Sequence, residues 1–282
     1  MPHWFFTSDL HGQGALYEQL VALTAAQRPR VVLIGGDLAP HATAAEGVQR
    51  QRVFLEGFLV EFARRVREAS PATRLLLLMG NDDWKANTDI LDRHDGGLWT
   101  VLHERVVVVD GVPIAGLSWV PITPFALKDW ERWEDGAEEV PARLDGWVSC
   151  DGGIQPHRFD AARRAPTIAA ALETLAALAP PAGTIFVLHS PPRGTRCDMI
   201  GAATHVGSRA IRAFIERHQP PLVLSGHIHE SPRVSASYRD LIGRTVVVNP
   251  GQFGTSRLCG VWFDPGRIGA TLGHTVYQAP EQ

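Results

Sequence analysis

Five short segments carry side chains able to bind metal or move protons. They are Asp9-Leu10-His11, Gly36-Asp37, Gly80-Asn81-Asp82-Asp83, the lone His189, and Gly226-His227-Ile228-His229. Four imidazoles (His11, His189, His227, His229), the carboxylates of Asp9 and Asp37 and the Asn81 amide make a mixed nitrogen and oxygen donor set without a thiolate. Such a set suits Mn, Fe, Zn, Co or Ni better than Ca or a fully hydrated Mg. Asp9 with His11, and His227 with His229, are spaced i and i+2, so extended backbone would aim each pair to one side. Gly36, Gly80 and Gly226 permit the sharp turns and close backbone approach that a crowded crevice needs. Any one of these segments alone means little. Five in this order, each just after a predicted strand, form a pattern.

The elements that must position them follow from the apolar patterning. Trp4 to Thr7 is a short apolar run, Arg30 to Ile34 an uninterrupted run typical of a strand buried on both faces, and Thr73 to Met79 another buried strand candidate. Between them, Leu16, Leu20 and Leu23 mark one helix, and Leu55, Phe58, Leu59, Phe62 and Val66 mark another. Thr43 followed by Glu46 reads as a capping box. This β-α-β-α-β opening predicts a sheet of parallel strands covered by helices. Arg105 to Ser118 reads as a hairpin turning at Asp110-Gly111. A helix is expected near residues 166 to 179, a strand from Thr184 to Leu188 ending in His189, and a helix from Ser208 to Arg217. Leu222 to Leu224 is a further strand, and the segments Thr245 to Val248, Cys259 to Phe263 and Gly269 to Val276 read as β-rich. In an open α/β sheet, ligand groups gather beyond the carboxyl ends of the strands, which is where the five segments fall.

The stretch from Trp119 to Ala165 reads as irregular and holds Trp119, Trp130, Trp133 and Trp147 with an acidic cluster (Glu131, Glu134, Asp135, Glu138, Glu139). It is either a lid over the site or a surface excursion that its tryptophans pin down. Lys and Arg number 27 against 30 Asp and Glu, a net charge of −3, so no global field draws the chain to nucleic acid or anionic membrane. Cys150, Cys197 and Cys259 fit neither a zinc knuckle nor a disulfide framework, and the amino-terminal residues do not resemble a signal peptide. The most apolar helical stretch, Ile168 to Ala179, is too short to span a bilayer and runs into Pro180-Pro181. The expectation is a cytoplasmic protein of one domain over residues 1–282, with no internal repeat or clear linker.

Taken together the five segments resemble the D-x-H, G-D, G-N-[H]-[D/E], H, G-H-x-H pattern of the calcineurin-like metallophosphoesterase superfamily. The match runs from residue 9 to 229 and is nearest to small prokaryotic phosphoesterases related to cyclic-nucleotide phosphodiesterases. The resemblance implies a four-layer α/β/β/α sandwich of two mixed β-sheets flanked by helices, with a dinuclear metal centre at the strand ends. Asp9, His11 and His229 would bind one metal, Asn81, His189 and His227 the other, and Asp37 would bridge them. Two divalent ions against two carboxylates leave a cationic pocket whose natural guest is a small phosphate ester. Such a pair of ions, Mn, Fe or Zn foremost, can share and activate a water, so attack by a metal-bridging hydroxide is expected without a phosphoenzyme.

One departure is informative. The chain has Asp82 where many relatives have a histidine that assists the leaving group, which puts the general acid in doubt. Asp82 and His205 are the candidates for it, and Asp83 is expected to orient His189 or His11 from behind. Arg193, Arg196 and Arg209 lie just beyond His189 and can fork onto phosphate. His41 reads as a loop histidine, and Asn249-Pro250-Gly251 as a turn near the site floor without chemistry. Two other readings stay open: a nuclease on the same dinuclear site, and a metal-stabilised interaction module without turnover.

Overall fold

The computed structural model describes residues 3–42, 46–151, 153–252, 254 and 256–277. The apolar runs do form strands. One six-stranded sheet is ordered Gly273–His274, Val261–Phe263, Trp4–Thr7, Val31–Ile34, Arg74–Leu77 and Thr100–Val101. Its last four strands are parallel, and the first two run antiparallel to their neighbours. The second six-stranded sheet is ordered Arg239–Ile242, Thr245–Val248, Leu222–Leu224, Ile185–Leu188, Val112–Leu117 and Arg105–Val109. Its four inner strands are parallel and its two edge strands antiparallel. The hairpin turning at Asp110-Gly111 is its Arg105–Val109 edge.

Alternation along each strand explains the layers. Trp4, Phe6, Val31, Leu33, Leu76, Ile114, Ile185, Val187, Leu222 and Leu224 form one buried cluster in which the two sheets pack on each other. Their strand neighbours Phe5, Val32, Ile34, Leu75 and Leu77 pack outward on the helices Gly14–Gln27 and Val60–Ala69. Leu117, Phe186, Leu188 and Val223 pack outward on Ile168–Leu178 and Arg209–His218. Both faces of each sheet are thus covered, which is why these strands read as continuous apolar runs. Two six-stranded mixed sheets flanked by helices result. No helix among the described residues is long and apolar enough to cross a membrane.

Two expectations need correction. The stretch after Trp119 is not irregular throughout: Asp145–Cys150 and Gly153–Arg158 form a six-residue antiparallel hairpin. Its pattern was unreadable because both strands are largely solvated, so no apolar alternation marks them. The tail holds a short helix, Ile268–Thr271, before its last two-residue strand. Thr43 lies outside the described residues, so the capping box is not described; the helix that follows begins at Glu46.

Three of the four tryptophans in the stretch from Trp119 to Ala165 are buried: Trp119, Trp130 and Trp133, whereas Trp147 is substantially exposed. Trp119 and Trp130 close on the His103 ring at 5.2 and 4.9 Å between centroids. His103 Nδ1 accepts the Ser118 N–H at 3.1 Å, which requires a neutral ring, and burial holds its pKa down to about 4. Unfolding restores the ordinary value of 6.5, so as pH falls the unfolded chain takes up the proton first. Stability at this site is therefore lost from about pH 6.5 downward and levels off near pH 4. The His103→Gln variant keeps an acceptor but does not titrate. Between about pH 7 and pH 5 its unfolding free energy in urea should fall by about 2 kcal/mol less than that of the wild type. Equal falls would show that His103 is not held neutral.

Candidate metal centre

Every one of the five segments follows a strand, and the strands belong to both sheets. Trp4–Thr7, Val31–Ile34 and Arg74–Leu77 lead into Asp9-Leu10-His11, Asp37 and Asn81. From the facing sheet, Ile185–Leu188 and Leu222–Leu224 lead into His189 and His227-Ile228-His229. The His227 N–H joins the two sets by donating to the Asp9 carboxylate, 2.9 Å from Oδ1 and 3.2 Å from Oδ2.

The backbone does not deliver these side chains as expected. Asp9, His11, Asp37 and His227 all have left-handed backbone, with φ of 60, 44, 52 and 64°. The i, i+2 argument from extended geometry is therefore wrong. Each such residue costs on the order of 1–3 kcal/mol and persists only where its surroundings impose it. Here loop-to-loop hydrogen bonds impose it: Asp9 N–H to the Gly36 carbonyl at 3.0 Å, and His11 N–H to the Asp37 carbonyl at 2.8 Å.

The side chains converge. Asn81 Oδ1 lies 2.9 Å from His189 Nε2 and 2.5 Å from His227 Nδ1. Asp37 Oδ2 is 3.4 Å from His189 Nε2 and 3.7 Å from His11 Nε2, while its Oδ1 accepts the Asp82 N–H at 2.8 Å. Ligand atoms of Asp9, Asp37 and His189 lie within 4.8 Å of one another. The His229 ring packs edge-on to that of His11 at 5.3 Å. All seven expected donors gather at one end of the sandwich.

The charges of this cluster are mutually dependent. Burial pushes the Asp37 carboxyl up, but His189 and His11 outweigh that and hold it well below the usual range. Burial raises Asp9. Burial would also lower His189, yet Asp37 and Asp9 carry it to about 9. Burial, reinforced by His189, presses His227 down to about 3. His189 Nδ1 is fixed on the Gly35 carbonyl at 2.8 Å, which turns Nε2 toward Asn81 and Asp37.

Both ring nitrogens of His11 are buried and lack a hydrogen-bond partner. Buried imidazole nitrogens are seldom left so, and an orphan pair beside two buried carboxylates fits a ring that serves a cation. The donor chemistry and the orphaned atoms therefore fit transition-metal binding.

Supporting contacts differ from expectation in two places. Asp83 does not touch His189 or His11. Its carboxylate accepts the N–H groups of Leu38 at 3.0 Å and of Ala39 and Gly80 at 2.9 Å, clamping the loops that carry Asp37 and Asn81. Burial raises its pKa to about 7, with the Asp37 charge adding to the effect. Asn249 sits at the floor as expected but is not idle. Its buried amide donates to the carbonyls of Cys197, Gly226 and Ile228 at 2.9 to 3.1 Å, pinning the turn that bears His227 and His229. A sequence hint existed in the Asn-Pro-Gly turn, but nothing local names its partners.

The other candidates are divided. A cleft of about 950 Å³ is lined by His11, Asp37, Asn81, His227 and His229 and also by Asp82, His41, Arg193 and Arg209. His205 and Arg196 are not among its lining residues. His205 Nδ1 is held by the buried Asp198 at 2.8 Å, and the Arg196 backbone is tied to Asp240 and Ser231. The far wall is the segment from Pro121 to Leu127, in which Phe125 is 57% exposed. The Trp119-rich excursion is thus a wall of the cleft, with three of its tryptophans turned inward and Phe125 at the surface.

The sequence model of the calcineurin-like phosphoesterases matches residues 4–231. No curated protein sequence matches significantly. Among solved structures, one aligns with a TM-score of 0.66 at 16% identity, covering 99% of this chain and 100% of that one. The protein TT1561 of Thermus thermophilus aligns with a TM-score of 0.57 at 18% identity, covering 97% of both chains. A dimetal phosphatase from Danio rerio aligns at 0.53 and 11% identity, covering 93% of this chain and 92% of that one. The chain belongs to the calcineurin-like phosphoesterase family, whose members hydrolyse phosphoesters with bound metal.

The crowding around Asp37 yields a test. A Cβ at Gly80 would fall 2.2 Å from Asp37 Oδ1 and 2.5 Å from His189 Cε1, and one at Gly36, where φ is +114°, would fall 2.5 Å from His189 Nδ1. The Gly80→Ala variant should keep its fold by circular dichroism yet lose metal measured by atomic emission. Full metal content would show that the close approach is dispensable.

Proposed function

We propose that the chain is a dinuclear metal-dependent phosphoesterase acting on small phosphodiesters or phosphomonoesters. The reading rests on one observation: two buried carboxylates, four imidazoles and an amide oxygen meet at the strand ends of two facing sheets, and five of these donors line a cleft. Asp9, His11 and His229 would hold one ion, Asn81, His189 and His227 the other, and Asp37 would stand between them. When bound, two Mn, Fe or Zn ions supply positive charge for the phosphoryl oxygens and an activated water.

The protein's own groups do the rest. Asp37, held by the Asp82 N–H and flanked by His189 and His11, keeps its charge at neutral pH and fixes the centre of the cluster. The Gly35 carbonyl fixes the orientation of the His189 ring, and Asn249 holds the turn of His227. Arg193 and Arg209, which line the cleft, would contact a phosphoryl oxygen or a second anionic group. The wall from Pro121 to Leu127 offers apolar surface to the substrate's organic part. Such a wall suits an ester with a sizeable apolar substituent.

Hydrolysis of an aryl phosphodiester and an aryl phosphomonoester by the metal-loaded protein tests the reading. Activity should disappear with a chelator and return with metal. Asp37→Asn should lower kcat by more than the roughly 10–100-fold typical of a lost supporting contact. A metal-replete wild type that turns over neither ester would leave an interaction module as the better account.

A further inference from the structure

The cleft contains a second polar pair outside the seven donors. His41 Nδ1 lies 2.8 Å from Asp82 Oδ2, and both residues line the cleft beside His11 and Asp37. We propose that His41, oriented by Asp82, gives the proton to the leaving group when the phosphoester is cleaved. The inference rests on the phosphoesterase reading and names the proton donor that Asp82 alone left unassigned.

The contact could be dismissed as a surface ion pair, since the His41 side chain is 62% exposed. Its scaffold argues otherwise. The loop carrying His41 is held at three points before and after it. Asp83 clamps the N–H groups of Leu38 and Ala39, and the Ala42 carbonyl accepts Trp84 Nε1–H at 2.9 Å. Between them, the amide nitrogen of the buried Gln51 donates to the Pro40 carbonyl at 3.0 Å and to the Asp82 carbonyl at 2.7 Å. One buried side chain therefore staples the loop of His41 to the loop of Asp82. Gln51 Oε1 is itself fixed by the Trp84 N–H at 2.7 Å. Surface pairs pay side-chain entropy to meet; here the backbones have already been brought together.

The chemistry follows from which nitrogen is engaged. Nδ1–H is directed to the Asp82 carboxylate, leaving Nε2 to act in the cleft, as a carboxylate selects the tautomer in other acid–base pairs. Asp82 also accepts from Asn81 Nδ2 at 3.2 Å and lies 3.6 Å from His11 Nδ1. Asp82 and, farther away, Asp37 are the charges that raise the His41 pKa, the hydrogen bond to Asp82 contributing most. A raised value keeps a larger fraction of His41 protonated near neutrality. During cleavage the oxygen of water bonds to phosphorus while the bond from phosphorus to the leaving oxygen breaks. The electron pair of that bond stays on the leaving oxygen, which takes the proton from His41 Nε2. Neutral His41 then recovers a proton from solvent, and the surplus proton of the attacking water is released to solvent.

A proton donor matters most when the leaving group is a poor one. The test compares an aryl phosphate, whose phenolate leaves unaided, with an alkyl phosphate of similar size. In His41→Gln, kcat on the aryl ester should stay within a few-fold of wild type, while kcat on the alkyl ester falls by about 10²-fold or more. Nitrogen-15 NMR should show His41 titrating above an ordinary histidine in the wild type and closer to it in Asp82→Asn. Equal losses on both esters, no loss on the alkyl ester, or a His41 titration unmoved by Asp82→Asn would overturn the assignment. Turnover of neither ester by the loaded wild type would sink the phosphoesterase reading and this proposal with it. Selective failure of the alkyl arm to respond would sink this proposal alone.

Discussion

The arrangement turns on the burial of the Asp37 carboxylate among imidazoles. An isolated carboxylate in such a place would neutralise itself, because desolvation of a charge outweighs most local gains. Asp37 stays ionised because His189 and His11 face it and the Asp82 N–H donates to it. The same field lifts His189, and His189 in turn depresses His227. Asp37, His189 and His227 do not have their ordinary acidities independently of one another. Buried charge of this kind is weak evidence for stability and strong evidence for a site.

The fold's contribution is to bring two sheets' strand ends to one place and hold them there. Four residues of the cluster have left-handed backbone without being glycine. The strain is offset by hydrogen bonds between loops: Asp83 across the loops of Asp37 and Asn81, Asn249 beneath the His227 turn, and the His227 N–H on Asp9. These supports are buried behind the donors, yet they set the donors' positions. The strained loops and the rigid inter-sheet core are two parts of one device.

Much of this was legible in the sequence. Runs such as Val31–Ile34 and Ile185–Leu188 announce buried parallel strands, and the polar residues just after them announce strand-end ligands. What was hidden has a common cause. Asp83 serves amides 44 and 45 residues away, Gln51 joins positions 11 and 31 residues off, and His41 meets Asp82 across 41 residues. Contacts of that span leave no periodicity and no motif. The left-handed backbone of Asp9 and His227 was equally invisible, since it is imposed by contacts with other loops and carries no local sequence signal. The solvated hairpin Asp145–Arg158 escaped because neither face is buried enough to impose alternation.

Calorimetric titration of the metal-free protein with Mn²⁺, repeated in buffers of different ionisation enthalpy, addresses the cluster itself. Two ions should bind per chain, and uptake should release protons to the buffer, because His189 carries one at neutral pH and must give it up to ligate. The same titration of Asp37→Asn should lose the tight binding. A single weak ion taken up without proton release, or binding that is indifferent to Asp37, would contradict the account.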